Sequence, residues 1–271
     1  MSIPPLPDVE LVVEVGDDEI DQFRQHGYTW VPRITTDEEL EWLDSVYDEL
    51  FEQKRAGVPG GYFDLSRPYD APGEDHLPQV LFPDHVVPEL RDTVYYRNAR
   101  RIIARLLGEA EADLTGWSHM IYKPAFHGHE TPWHQDESYW EPTLTYQAAG
   151  AWMPLDDVDT ENGCMTFLPG SHRSEVLPHK HISDDPAVHG LELAVEVDTS
   201  MAVPVPLRAG GATFHHPRMI HSTGPNHSPR RRRAWANEFQ TEPVAAEVES
   251  ERPWLHEGRA AWAARSKPSE D

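Results

Sequence analysis

The chain has a single cysteine, Cys164, in 271 residues. No intramolecular disulfide can form, which fits a reducing compartment. No apolar run approaches the roughly 20 residues of a membrane-spanning helix. Positive charge is scarce: 23 lysines and arginines face 47 aspartates and glutamates, for a net charge of -24. That deficit argues against nucleic acid as a partner, because such binding rests on basic phosphate contacts. It argues equally against an anionic membrane surface. The opening MSIPPLPDVE has neither the basic nor the apolar stretch of a signal peptide, and no fixed-period repeat runs through the chain. A soluble cytoplasmic protein, monomeric or homodimeric, is the expectation.

What is present suffices for a packed core: 38% hydrophobic and 10% aromatic residues. Residues 1–16 read as a loose arm holding one short apolar strand at 11–15. Asp17 opens a short helix that ends near Gly27, and Tyr28–Val31 reads as a strand. The clearest helix spans 36–55. Thr36 and Glu39 have capping-box spacing, Leu40, Leu43, Tyr47, Leu50 and Phe51 share one face, and Gly57 supplies a stop. Residues 58–88 are rich in Pro, Gly and Asp without a period, and read as a long irregular segment serving as a substrate lid. A further helix is expected over 88–107. Beyond Leu114 the texture changes to short apolar runs at 120–122, 149–154, 164–168, 191–197, 202–207, 212–215 and 234–239, broken by turn residues. Helices followed by many strands predict an α+β, mainly β, single domain over 1–271, with helices buttressing one side of a sandwich or barrel.

Sixteen histidines make any one pair uninformative. The informative segment is Thr131-Pro132-Trp133-His134-Gln135-Asp136. Residues two apart on extended chain point to one side, so His134 and Asp136 can face a common point. A third ligand must come from elsewhere. His221 qualifies, because it opens His221-Ser222-Thr223-Gly224-Pro225-Asn226, a turn that would present a side chain at a strand end. Two histidines and a carboxylate on one face of iron leave three positions open. Spacing alone leaves rivals: His127 or His129 beside His134, and His215 or His216 in place of His221.

Several motifs extend this pattern. They are Met120-Ile121-Tyr122-Lys123-Pro124, Trp152-Met153-Pro154-Leu155-Asp156, Glu161-Asn162-Gly163-Cys164, Leu168-Pro169-Gly170-Ser171-His172 and Arg232-Arg233-Ala234, with Phe23-Arg24-Gln25-His26-Gly27-Tyr28 near the start. Taken in order with the two histidine segments, they resemble the phytanoyl-CoA dioxygenase (PhyH) family over nearly the whole chain. The resemblance implies a double-stranded β-helix (jelly-roll, cupin-like) core. It implies Fe(II) held by His134, Asp136 and His221, with 2-oxoglutarate and O2 as co-substrates. It implies a small-molecule substrate that is hydroxylated or otherwise oxidised, with release of succinate and CO2. The distal carboxylate of 2-oxoglutarate falls to Arg232, within the run Arg230 to Arg233. Strand alternation separates Arg232 from Arg231 and Arg233 but not from Arg230, and the other three read as a solvated basic stretch. By family position Thr223, Gln135, Trp152 and Thr131 line the co-substrate pocket. Asn162, Gly163 and His172 read as turn scaffold. One departure is Ala209-Gly210-Gly211-Ala212, where the family often carries an acidic residue. It is expected to alter a turn and leave the chemistry alone.

The net charge favours a neutral or cationic substrate over an acyl-CoA. Two other readings compete. An iron halogenase of the same fold would carry Gly or Ala in place of Asp136. A cupin-like binding module would not need Arg232 beside the metal.

Overall fold

A computed structural model describes residues 3–69, 71–248 and 250–265. The elements in chain order are α1 (Asp17–His26), β1 (Tyr28–Val31), α2 (Asp37–Glu52), β2 (Tyr62–Asp64), β3 (Pro78–Leu81), α3 (Val94–Leu107), β4 (Thr115–Lys123), β5 (Thr131–His134) and β6 (Leu144–Thr145). They continue with β7 (Ala148–Pro154), β8 (Met165–Phe167), β9 (His179–His181), β10 (Leu191–Leu193), β11 (Val203–Val205), β12 (Ala212–His215), β13 (His221–Thr223), β14 (Arg232–Gln240), β15 (Val244–Ala245) and α4 (Pro253–Arg265). A seven-stranded antiparallel sheet runs β1-β12-β7-β14-β4-β3-β2, and a four-stranded one runs β11-β8-β13-β5.

Period-two alternation explains how these layers stack. On β14, Trp235 and Phe239 join Ala149, Ala151 and Met153 of β7 in one apolar cluster with Leu43, Val46, Tyr47 and Leu50 of α2 and Ile102 and Ile103 of α3. The intervening Ala234 and Ala236 instead pack with Trp152 on β7, Met165 and Phe167 on β8 and Val205 on β11. The large sheet is thus covered by helices outside and by the small sheet inside, which is the jelly-roll arrangement buttressed by N-terminal helices. Burial on both faces also explains why β14 is buried from Arg232 to Phe239.

Several local expectations change. The arm at 11–15 forms no strand. The side chain of Asn98 on α3 accepts from Val13 N at 3.2 Å and donates to Leu11 O at 2.8 Å, so a side-chain amide does the work of a neighbouring strand. The irregular segment 58–88 contributes β2 and β3, which extend the large sheet beyond β4. Asp64 ties its turn together, accepting from Ser66 N at 2.8 Å, His76 N at 2.5 Å and Leu77 N at 2.8 Å. The helix expected over 88–107 breaks at Thr93. A 3-10 turn, Pro88–Asp92, precedes it, and Thr93 caps α3 by accepting from Tyr96 N at 3.2 Å. The runs at 191–197 and 202–207 shrink to the three-residue strands β10 and β11.

The capping box at Thr36 is half formed. Thr36 Oγ1 accepts from Glu39 N at 3.2 Å, but the Glu39 carboxylate turns away. It accepts from Val94 N at 2.6 Å and Tyr95 N at 2.9 Å, at the start of α3. A buried side chain of α2 therefore satisfies orphan donors of a different helix. Glu39→Ala strands two buried N–H groups at roughly 1–3 kcal/mol each. Urea unfolding should show a stability loss of about 2–5 kcal/mol. A loss below about 0.5 kcal/mol, the size of an ordinary surface substitution, would remove Glu39 from this role.

Candidate active site

Strand β5 ends at His134. Gln135 stays extended (φ -123°, ψ 132°) and Asp136 opens a 3-10 turn, so the i, i+2 geometry survives although the strand has ended. Strand β13 lies antiparallel to β5 with His221 directly opposite His134. The two imidazole rings sit 4.2 Å apart. Asp136 Oδ1 lies 3.4 Å from His134 Nε2 and 3.6 Å from His221 Nε2. The three ligand atoms point at one spot.

Tautomers follow from the partners. His134 Nδ1 is 2.8 Å from Pro132 O, and His221 Nδ1 is 2.8 Å from Met219 O. A carbonyl can only accept, so each Nδ1 carries the hydrogen and each Nε2 offers a lone pair. Burial drives the His221 pKa down to about 3, so the ring is neutral at pH 7 as a metal ligand must be. Burial opposes the Asp136 charge, but the imidazoles of His221, His134 and His215 outweigh it and hold the carboxyl well below the usual range. One carboxylate and two imidazole nitrogen donors suit ferrous iron.

The rival histidines fall elsewhere. His129 stacks on His76 at 4.3 Å and meets Ser66 Oγ at 2.9 Å. The His127 ring packs at 5.4 Å against the same His76. His216 accepts from Arg218 N at 3.0 Å. His215 comes nearest. Its Nε2 is 2.9 Å from Asp136 Oδ2, and with Glu238 it forms an overlapping group around Asp136. Its Nδ1 has no partner among the described residues, so no carbonyl fixes its tautomer as one does for His134 and His221. The geometry casts His215 as the group that hydrogen-bonds the far oxygen of Asp136.

Strand alternation sends Arg232 inward. It lies buried in the cleft that His134, Asp136 and His221 line, together with Thr131, Trp152 and Thr223. Its guanidinium sits over the Trp152 ring at 5.7 Å, and Thr223 Oγ1 donates to Thr131 Oγ1 at 3.0 Å. Burial lowers the Arg232 pKa to about 10, so it stays cationic at neutral pH. Its Nε and Nη1 find no hydrogen-bond partner among the described residues. A buried cation with two free donors beside a donor set fit for iron could hold the carboxylate of an anionic co-substrate.

The rest of the arginine run resolves cleanly. Arg230 pairs with Asp159 at 2.7 Å on the surface, and Arg231 is half-exposed near Asp44 and Asp48. Arg233 is not solvated. It points outward under α2, buried, with Nη2 at 2.8 Å from Asp156 and Nη1 at 2.6 Å from Asp44. Gln135 also departs from its family-based place. Its amide donates to Glu175 O and Arg218 O and accepts from Leu177 N at 2.8 Å, so it braces the loop behind the site and does not line the cleft. Gly210 takes φ 77°, in a left-handed turn leading into β12.

Sequence reasoning passed over His119 and Glu238, which line the same cleft. Burial lowers the His119 pKa to about 4 and raises that of Glu238 well above the carboxylate range. The signal for Glu238 was available, since 232, 234, 236 and 238 share one parity. Lys123, fully buried, donates to Thr223 O at 3.1 Å and Gly224 O at 2.6 Å, anchoring the end of the strand that carries His221.

The model of the phytanoyl-CoA dioxygenase family matches residues 23–234. The chain belongs to the phytanoyl-CoA dioxygenase family. It is 28% identical over 198 residues to phytanoyl-CoA dioxygenase domain-containing protein 1 of Bos taurus, covering 72% of this chain and 67% of that one. The crystal structure of EvdO2 from Micromonospora carbonacea var. aurantiaca, complexed with 2-oxoglutarate, is 34% identical. It covers 91% of this chain and 99% of its own, with a TM-score of 0.78. A non-heme alpha ketoglutarate dependent carbocyclase, SnoK from nogalamycin biosynthesis, is 25% identical at a TM-score of 0.67, covering 95% and 94%. This member of the family is a 2-oxoglutarate-dependent dioxygenase that uses iron. No helix among the described residues is long and apolar enough to cross a membrane.

Proposed function

We propose that this dioxygenase hydroxylates a small organic molecule, with His134, Asp136 and His221 holding Fe(II) and Arg232 holding the distal carboxylate of 2-oxoglutarate. The observation that carries the reading is the meeting, in one buried cleft, of that triad and an arginine whose Nε and Nη1 find no hydrogen-bond partner among the described residues. Iron with 2-oxoglutarate supplies an oxidant made from O2 that can break a C–H bond, while the co-substrate becomes succinate and CO2. The protein's share is placement. The fixed Nδ1–H tautomers aim two lone pairs at one point, and His215 draws on the far oxygen of Asp136. Thr131, Thr223 and the Trp152 face shape the co-substrate's bed.

Asp136 disfavours a halogenase, because its carboxylate fills the position a halide would need. The unpartnered Arg232 disfavours a binding module without turnover. The test is anaerobic titration of the Fe(II) protein with 2-oxoglutarate, followed by air. A visible absorption band that appears only with both components, and then disappears as succinate forms, is the expected result. Binding without succinate would leave the module reading standing.

A further inference from the structure

Two cavities lead away from the triad. The inner one, ≈ 360 Å³, touches His134 and Asp136 and is walled by Phe82, Trp117, Ile121 and Trp140. It holds no lysine and no arginine, and Asp136 is its sole carboxylate. The outer one, ≈ 570 Å³, is roofed by Trp254, Leu255 and Trp262 of α4. Both share Leu81, Phe82, Tyr139, His189 and Leu191, so the two cavities adjoin, with these residues forming the neck between them. At the neck Tyr139 and His189 stack with ring centroids 5.6 Å apart and planes at 15°. The charged side chain of the outer cavity, Arg259, is engaged by Glu141 at 3.0 Å. Apart from Asp136 and Arg259, the polar side chains lining the two cavities are amide, hydroxyl, indole or imidazole in kind, such as Gln79, Thr131, Tyr139, His119 and His189.

We infer that the substrate is an extended, uncharged molecule of two or more rings, with its reacting end at the triad and its far rings under α4. This rests on the oxygenase reading above and narrows it. Aromatic walls favour flat rings and sugar faces. A carboxylate or ammonium group drawn into these cavities would lose its hydration and find no partner of opposite charge that is not already engaged. The length follows from the neck: a ligand filling only the inner cavity leaves the α4 face without a role. A larger cavity, ≈ 720 Å³, lies away from the triad, and its Lys54 and Arg67 already pair with Asp75.

The test uses calorimetry with naphthyl glucoside, which is neutral, and naphthyl glucuronide, which differs by one carboxylate. Titrations are run in roughly 1 M salt, where a Debye length of about 3 Å removes the pull of the overall -24 charge. The glucoside should bind at least about tenfold more tightly than the glucuronide. Trp262→Ala, on the terminal helix, should weaken the glucoside by about tenfold with the fold intact by circular dichroism. Equal or tighter binding of the glucuronide, no binding of either, or an unchanged affinity in Trp262→Ala would overturn the inference. Succinate formation from 2-oxoglutarate is followed in parallel. Its presence without the preference for the neutral probe refutes the substrate class alone, and the preference without succinate refutes the oxygenase reading alone.

Discussion

Asp136→Gly should lose nearly all turnover and most of its iron. The carboxylate is the one anion in the donor set, and it is also the point on which His134, His215 and His221 converge, at 3.4, 2.9 and 3.6 Å. Losing an outer hydrogen-bonding partner of a metal ligand costs roughly 10–100-fold in affinity. Losing the anionic ligand itself should cost more. Metal content after gel filtration and succinate formation report the two effects separately. The native protein, with that position filled, should give only oxygenated or desaturated products in high chloride or bromide, read by product mass. The glycine variant need not become a halogenase, since the halide also needs surrounding groups and a substrate placed for its transfer. Full activity and full iron in Asp136→Gly would end the facial-triad reading.

Arg232→Ala should raise the 2-oxoglutarate requirement by on the order of 2–5 kcal/mol of lost charge-assisted bonding, roughly 30-fold or more in concentration. Stability should move the other way. The metal-free protein carries Arg232 as a buried cation with no carboxylate paired to it among the described residues and with Nε and Nη1 unbonded, so removing it should leave the unfolding midpoint unchanged or raised. Arg233→Ala makes the contrast. It breaks a buried pair with Asp156 and a contact with Asp44, and should cost about 3 kcal/mol of stability while the 2-oxoglutarate KM of the folded fraction holds. Arg232→Lys should recover only part of the affinity, since an ammonium cannot grip a carboxylate with two parallel bonds. Equal KM losses at 232 and 233 would show that the strand register is misread.

The outcome at these arginines illustrates where sequence reading succeeds. Alternation along one strand is local geometry, so the inward path of Arg232 was legible, and the same parity reaches Glu238. What alternation could not supply was the partner across each face. Arg233 read as solvated because its burial depends on α2, far away in the chain, laying Asp44 and Tyr47 over it. Gln135 read as a pocket residue by family position alone. Only the loop carrying Glu175 and Leu177, with Arg218 beyond it, shows that its amide is used elsewhere.

That His134 and Asp136 face one side was legible in the sequence itself, because residues two apart on extended backbone share a side. The helices, the charge deficit and the order of motifs were likewise local properties. The placing of His221 opposite His134, the burial of Arg232 in the same cleft and the largely apolar cavity beside them were decided by tertiary structure. Each depends on which strand lies beside which and on what a turn of α4 covers, and those are long-range pairings that the packing of the whole chain selects.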